Sequence, residues 1–292
     1  MPARIPERSA RIRRAIARDH AAMFLLTLPA LVLLALLLVV PMAWLVALSF
    51  IHNGALTIAN YVHVFTDKSY ADSFALTLTV SGVVTAITGL YGYLLAYAMT
   101  RMPRWAVGVC LTLVALPFWT SVLVRAYAWL ALLQYHGIIN NMLIDLHIID
   151  TPLQMVHNLT GTYVGMVHFM LPFMIFPIYA GLRHIDPDFV KAARGLGATT
   201  TYAFWRVYFP LSLPGLAAGA LIVFVFSLAF YVTPVLLGGG RIYLMSIIIE
   251  RDVNFNRDWG PASAVSVLFV LVILAIFAIG NRVASLDRAF RR

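Results

Sequence analysis

The sequence predicts an all-α, polytopic membrane protein of six transmembrane helices, and three observations predict it. Of its 292 residues 62% are hydrophobic and only 11% are charged, a balance far from that of a soluble domain. Six runs stay apolar for roughly 20 residues or more, the length at which a helix crosses a bilayer core. These runs are apolar throughout instead of alternating with polar residues, so they read as helices and not as barrel strands. They occupy residues 22–50, 74–100, 105–133, 161–182, 211–237 and 262–283. Residues 1–21 read as a basic N-terminal arm and 22–292 as one transmembrane domain.

The first run follows Arg4, Arg8, Arg11, Arg13, Arg14 and Arg18, and Ala47-Leu48-Ser49 loosely resembles a signal-peptide cleavage site. Its apolar core is too long for a cleaved signal, so it reads as a retained span. The third run contains the lone Cys110, which excludes an intramolecular disulfide. Orientation follows from the basic residues, because Lys and Arg flanking spans stay on the cytoplasmic side. Both termini, the second connection (Arg101, Arg104) and the fourth (Arg183, Lys191, Arg194, Arg206) carry most of the 21. The expected product is a bacterial inner-membrane protein with cytoplasmic N- and C-termini. The same bias, with attraction of the arm to anionic lipid, accounts for the net charge of +9 without nucleic-acid binding.

All 12 acidic residues lie outside the six runs, so no carboxylate relay crosses the membrane. Proton- or ion-coupled carriers need ionisable groups at mid-membrane, and only Arg125 and His168 are embedded here. An external energy source is therefore expected. The chain does not supply it, because neither Lys68 nor Lys191 stands in a Gly-Lys-Ser/Thr phosphate loop. The chain is not expected to be an enzyme or to bind a cofactor, and nucleotide chemistry falls to a partner. The eight histidines show no paired metal-ligand spacing, so no metal site is expected.

The most informative connection is the fourth, residues 183–210. Asp186 suits an N-cap, Pro187 the first helical position, and Asp188 the positive end of the helix dipole. Gly195 and Gly197 can end the helix and permit positive φ before a second short segment enters the fifth run. Ala192 and Ala193 give a small, smooth face that permits close approach. An amphipathic helix lying on the membrane is the other reading, which Phe189, Val190 and the arginines would suit.

Lys191-Ala192-Ala193, three residues, Gly197, nine residues and Val207-Tyr208-Phe209-Pro210 together resemble the "EAA loop" of binding-protein-dependent permeases. That family pattern is Glu-Ala-Ala, three residues, Gly, nine residues, then Ile-any-Leu-Pro, and both spacings match. Lys191 stands where the family has glutamate, so any ion pair of that glutamate is absent or reversed. The resemblance implies a type I ATP-binding-cassette (ABC) importer transmembrane domain with a cytoplasmic coupling helix. It implies that Asp188, Lys191, Ala192, Ala193, Gly197 and Pro210 couple to the ATPase. It implies as partners a second permease subunit, two ABC ATPases holding ATP and Mg, and an extracytoplasmic solute-binding protein.

Residues 116–129, 170–174 with Pro177, and 258–262 are similar to the permeases of spermidine/putrescine importers, which implies a polyamine substrate. Aromatic faces attract cations, so Phe118, Trp119, Tyr127, Trp129, Phe230 and Tyr231 are candidates to line a cation pathway, the alternative being an interfacial belt or packing. Arg125 is the awkward candidate. A straight helix from Trp105 places it roughly 30 Å from the inner surface, where it could snorkel to the outer headgroups or pair with Asp145, Glu250 or Asp252. Facing the pathway unpaired, it would repel a polyamine and favour an amino-acid-like or other carboxylate-bearing solute.

Gly161/Gly165 and Gly215/Gly219 have spacings that let helices approach closely, within the chain or against a second subunit. Pro117, Pro172, Pro177, Pro214 and Pro234 would kink or start spans. Two other function classes fit less well. A secondary carrier should show an inverted repeat, and an intramembrane hydrolase a catalytic constellation inside the spans; the sequence displays neither.

Overall fold

Long apolar stretches without internal capping signals form long helices, and six helices are long and apolar enough to cross a membrane. The computed structural model describes the backbone of residues 5–290 and the side chains of residues 27–278, Asn53 excepted in both. The side chains of the basic arm and of the C-terminal arginines therefore lie outside the described residues.

Helix α1 spans Ile5–Ser49, and no residue in the most apolar stretch of its Thr27–Ser49 part is buried by the rest of the chain. A two-residue hairpin, Ile51–His52 against Ala55–Leu56, turns the chain into α2 (Ala59–Thr66). Asn60 locks this corner. Its amide donates to the Ser49 carbonyl at 3.1 Å and the Ile51 carbonyl at 2.9 Å, and its Oδ1 lies 3.0 Å from His52 Nδ1. Asp67 then caps α3 (Lys68–Met99) by accepting from the Ser69 N–H at 2.8 Å.

The core is built by α3, α7 (Leu159–Arg183) and α10 (Phe209–Leu228). Met166, Met170, Met174, Ile178 and Leu182 recur every four residues along α7 and are all buried, one stripe facing Val80 and Val84 of α3 and Val223 of α10. Unbranched methionines fill the irregular gap between three crossing helices. Glycine sets how closely two of them meet. A Cβ on Gly215 would stand 3.0 Å from the Pro177 carbonyl oxygen and 3.3 Å from Gly181 Cα. Gly219 lies as tightly on Met174, while a Cβ on Gly165 would strike Leu237 and Thr233 at 2.5 Å. Both Gly-x-x-x-Gly pairs are thus used within the chain.

Two spans read from the sequence as continuous are broken. The third expected run, 105–133, divides into α4 (Arg104–Ala115), a tight turn at Leu116–Trp119 and α5 (Val122–Leu133), followed by α6 (Ile138–Asp145). Pro117 has no N–H for the helical ladder, and Thr120 closes the turn by donating its N–H and hydroxyl to the Pro117 carbonyl at 3.2 and 2.9 Å. The fifth run, 211–237, divides into α10 and α11 (Val232–Gly238). Pro234 cannot donate to the Phe230 carbonyl, and Ser246 of α12 (Met245–Asn254) does so at 2.9 Å. The last span is α13 (Trp259–Phe290), which packs against α1, α2 and α12.

Candidate functional site

Between α7 and α10 the chain forms α8 (Pro187–Gly195) and α9 (Thr200–Ala203), then a wide turn of five-residue hydrogen bonding at Phe204–Tyr208. Each end of α8 follows from local chemistry. Asp186 caps it, its carboxylate accepting from the Asp188 N–H at 2.9 Å, and Pro187 sits in the first turn. At the other end Gly197 has φ of +89°, its N–H reaches the Arg194 carbonyl at 3.0 Å, and the Ala198 N–H reaches the Ala193 carbonyl at 3.1 Å. That pair of bonds is the Schellman stop, which needs a left-handed residue at the Gly197 position. Pro210 lies exposed in the first turn of α10, directly after the wide turn.

The stop leaves α8 with two unlike faces. Phe189, Ala192 and Leu196 recur at three and four residues and form an exposed apolar stripe. Ala193, expected beside Ala192, is half-buried on the inward side. Lys191 reaches Asp188 on its own helix at 2.8 Å, a bond that raises the lysine above its ordinary value. Inward of α8 a cavity of about 800 Å³ opens toward the α3–α4 connection.

The pathway candidates separate into two groups. Phe118 packs on Phe173 at 5.1 Å and Phe176 at 6.1 Å; Phe173 continues to Phe226 and Phe169, and Phe169 meets Phe230 at 4.6 Å. The Arg125 guanidinium stands over the Phe169 ring at 4.3 Å, and Trp129 meets His168 at 5.5 Å. Phe118, Arg125 and Phe230 therefore share one aromatic wall, built from the Leu116–Trp119 turn, α5, α7 and the α10–α11 break, while Trp129, among the described residues, packs on His168 without joining those rings. Trp119 and Tyr127 are exposed and join no ring contact among the described residues. Tyr231 is half-buried in the break between α10 and α11, near Glu250.

The acid pairing considered for Arg125 is not what the structure displays. Among the described residues Arg125 forms no ion pair, and its buried Nε has no hydrogen-bond partner. The straight-helix estimate of its depth also fails, because the chain breaks at Thr120 before reaching it. Asp252 is engaged elsewhere: its carboxylate accepts from the Tyr70 hydroxyl at 2.7 Å and from Asn256 at 2.9 Å. The sequence offers Asp252 only as a partner for Arg125, and neither its bond to Tyr70 nor the Phe169–Phe173 wall is singled out there. Asp252 is one of three acids in a loop that also holds Arg241, Arg251 and Arg257, so the sequence does not mark it out as the buried one.

Residues 20–290 match the family described as binding-protein-dependent transport system inner membrane component. The chain is 38% identical over 223 residues to the spermidine/putrescine transport system permease protein PotB of Haemophilus influenzae, covering 76% of this chain and 78% of that one. It is 30% identical over 217 residues to PotB of Escherichia coli, covering 74% and 78%. Its fold matches a chain of a bacterial alginate ABC transporter solved in complex with an alginate pentasaccharide-bound periplasmic protein, with a TM-score of 0.77, 21% identity, and coverage of 93% and 96%. The secondary-carrier and hydrolase readings fall away on these matches. With six spanning helices and a match over nearly its whole length, the chain belongs to the binding-protein-dependent transport system inner-membrane family and is a multi-pass permease subunit.

Proposed function

We propose that this chain forms half of the translocation pathway of an ATP-driven importer for a polyamine of the spermidine/putrescine class. On this reading both termini and the 183–210 loop are cytoplasmic, and α8 is the coupling helix. The single observation that carries the coupling role is the exposed Phe189–Ala192–Leu196 stripe on a short helix fixed at both ends. A capped helix is rigid enough to transmit a push, and an apolar stripe facing water calls for a protein surface to cover it. The partners are a second permease subunit, two ABC ATPases that hold ATP and Mg, and an extracytoplasmic solute-binding protein. The substrate class rests on the PotB relatives, whose names carry it. The aromatic wall suits cation passage, since ring faces attract ammonium groups.

One observation favours a second solute class. Arg125 sits on the aromatic wall without a carboxylate partner among the described residues, an arrangement that would attract a carboxylate-bearing solute.

Coupling is tested by placing Ala192→Cys in a Cys110→Ser background and crosslinking within the assembled transporter. The proposal expects an Ala192→Cys crosslink to the ATPase subunit whose yield changes with ATP. A crosslink to no ATPase, from a complex that still contains one, would remove the coupling assignment.

A further inference from the structure

The cavity inward of α8 has a charge pattern that the coupling role does not use. Arg101 and Arg104 from the α3–α4 connection, Arg183 from the end of α7, and Lys191 and Arg194 from α8 line it, and no Asp or Glu does. Among the described residues none of the four arginines forms a salt bridge, and only Lys191 is answered, by Asp188 at the rim. Arg101 is held in place by its own helix, its guanidinium over the Tyr97 ring at 4.5 Å and bonded to the Tyr97 hydroxyl. Four guanidinium groups without a carboxylate partner surround one opening, a charge pattern that attracts an anion.

The walls show which anion. Behind the cations lie Val107, Gly108 and Leu111 of α4. Leu111 is seven residues beyond Arg104, so about 10 Å deeper into the apolar layer at 1.5 Å per residue. Gly108 has open space where a side chain would stand, leaving a shallow groove along the helix. Trp105, beside Arg104, is exposed, and so are Tyr202 and Trp205, which flank in sequence the cavity-lining Phe204. Exposed Trp and Tyr mark the headgroup level of a bilayer. A cationic mouth at that level with an apolar groove running inward matches a phospholipid: phosphate outside, acyl chain within. A soluble phosphate would leave the groove empty, and an acidic protein segment would have to enter the hydrocarbon.

We propose that this cavity binds one anionic phospholipid, its phosphate held by Arg101, Arg104 and Arg183 and an acyl chain lying along Gly108 and Leu111. Such a lipid would tie α8 to the start of α4. The inference does not depend on the substrate or on what α8 docks against.

The test is made on the full chain in its assembled transporter, in phosphatidylcholine nanodiscs carrying stepped amounts of phosphatidylglycerol, with bound lipid counted by native mass spectrometry. Phosphatidylglycerol should be retained over phosphatidylcholine, and Arg101→Gln with Arg104→Gln should weaken retention about thirtyfold, roughly fivefold for each cation lost. Gly108→Leu keeps every charge but fills the groove, and should weaken retention as well. Lys68→Gln, a cation outside the cavity, should change nothing. Equal retention of the two lipids, or full displacement of phosphatidylglycerol by inorganic phosphate, would overturn the proposal. So would an arginine variant that loses the ATPase while retaining phosphatidylglycerol, since the cations would then serve a protein partner.

Discussion

The Ser246 hydroxyl donates to the Phe230 carbonyl at 2.9 Å, across the break that separates α10 from α11. In a continuous helix the N–H of residue 234 would make that bond, and residue 234 is proline. The break is therefore a stable, satisfied feature and not a frayed end. It places Phe230 on the aromatic wall and frees Tyr231 to turn toward Glu250.

Ser246→Ala should leave that carbonyl without its side-chain donor and cost about 1–3 kcal/mol. Ser246→Thr should retain most of the stability. Unfolding midpoints of the purified protein in nanodiscs would separate the two.

The contact between α7 and α10 depends on missing side chains. Gly215→Ala places a methyl group 3.0 Å from the Pro177 carbonyl oxygen, a backbone atom that cannot swing aside. The helices must part, at about 1–3 kcal/mol. Gly82→Ala in α3 meets nothing within 4 Å and should be neutral or stabilise by up to about 1 kcal/mol through helix propensity. The same unfolding measurement compares them.

Tyr70→Phe removes one of the two short hydrogen bonds to the buried Asp252 carboxylate. Its loss should cost about 1.5–3 kcal/mol, the range for bonds to charged groups. Hydrogen exchange should show α12 and the first turns of α3 opening together, because this bond joins them.

The ends of α8 were legible because each depends on one local rule: Asp186 accepts a bond two residues on, and Gly197 supplies a positive φ. The number of spans was legible from apolar length alone. The breaks near Thr120 and Phe230 were not, although Pro117 and Pro234 had been noted, because a membrane helix tolerates proline wherever a neighbour repairs the ladder. For Pro234 that neighbour is Ser246, in a different helix. The Tyr70–Asp252 bond joins residues 182 positions apart, and no periodicity encodes such a pair. Arg125 was recognised as unusual, but its place over Phe169 required the packing of α5 on α7.

Lys191→Glu restores the glutamate of the EAA pattern and tests whether the lysine is required. Among the described residues the one ion pair of Lys191 is with Asp188 of its own helix, and that hydrogen bond raises its value. A raised lysine is fully charged below its ordinary 10.5 and loses its proton only as pH rises past the raised value, so its contribution to the pair is constant near neutral pH. Uptake should therefore show no titration from this residue near neutral pH, and Lys191→Glu should keep uptake within about twofold, as expected of an exposed surface pair.

The central claim is tested most directly by uptake of labelled putrescine and spermidine in cells lacking this chain, complemented with wild type or with Gly197→Trp. Gly197 has open space around it but a φ of +89°, so a tryptophan there strains the backbone by about 1–2 kcal/mol and puts bulk at the end of the coupling helix. Wild type should restore uptake, while a Gly197→Trp chain that reaches the membrane should not. Polyamine uptake that is the same with and without the chain would contradict the substrate assignment, and full uptake through Gly197→Trp would contradict coupling through α8.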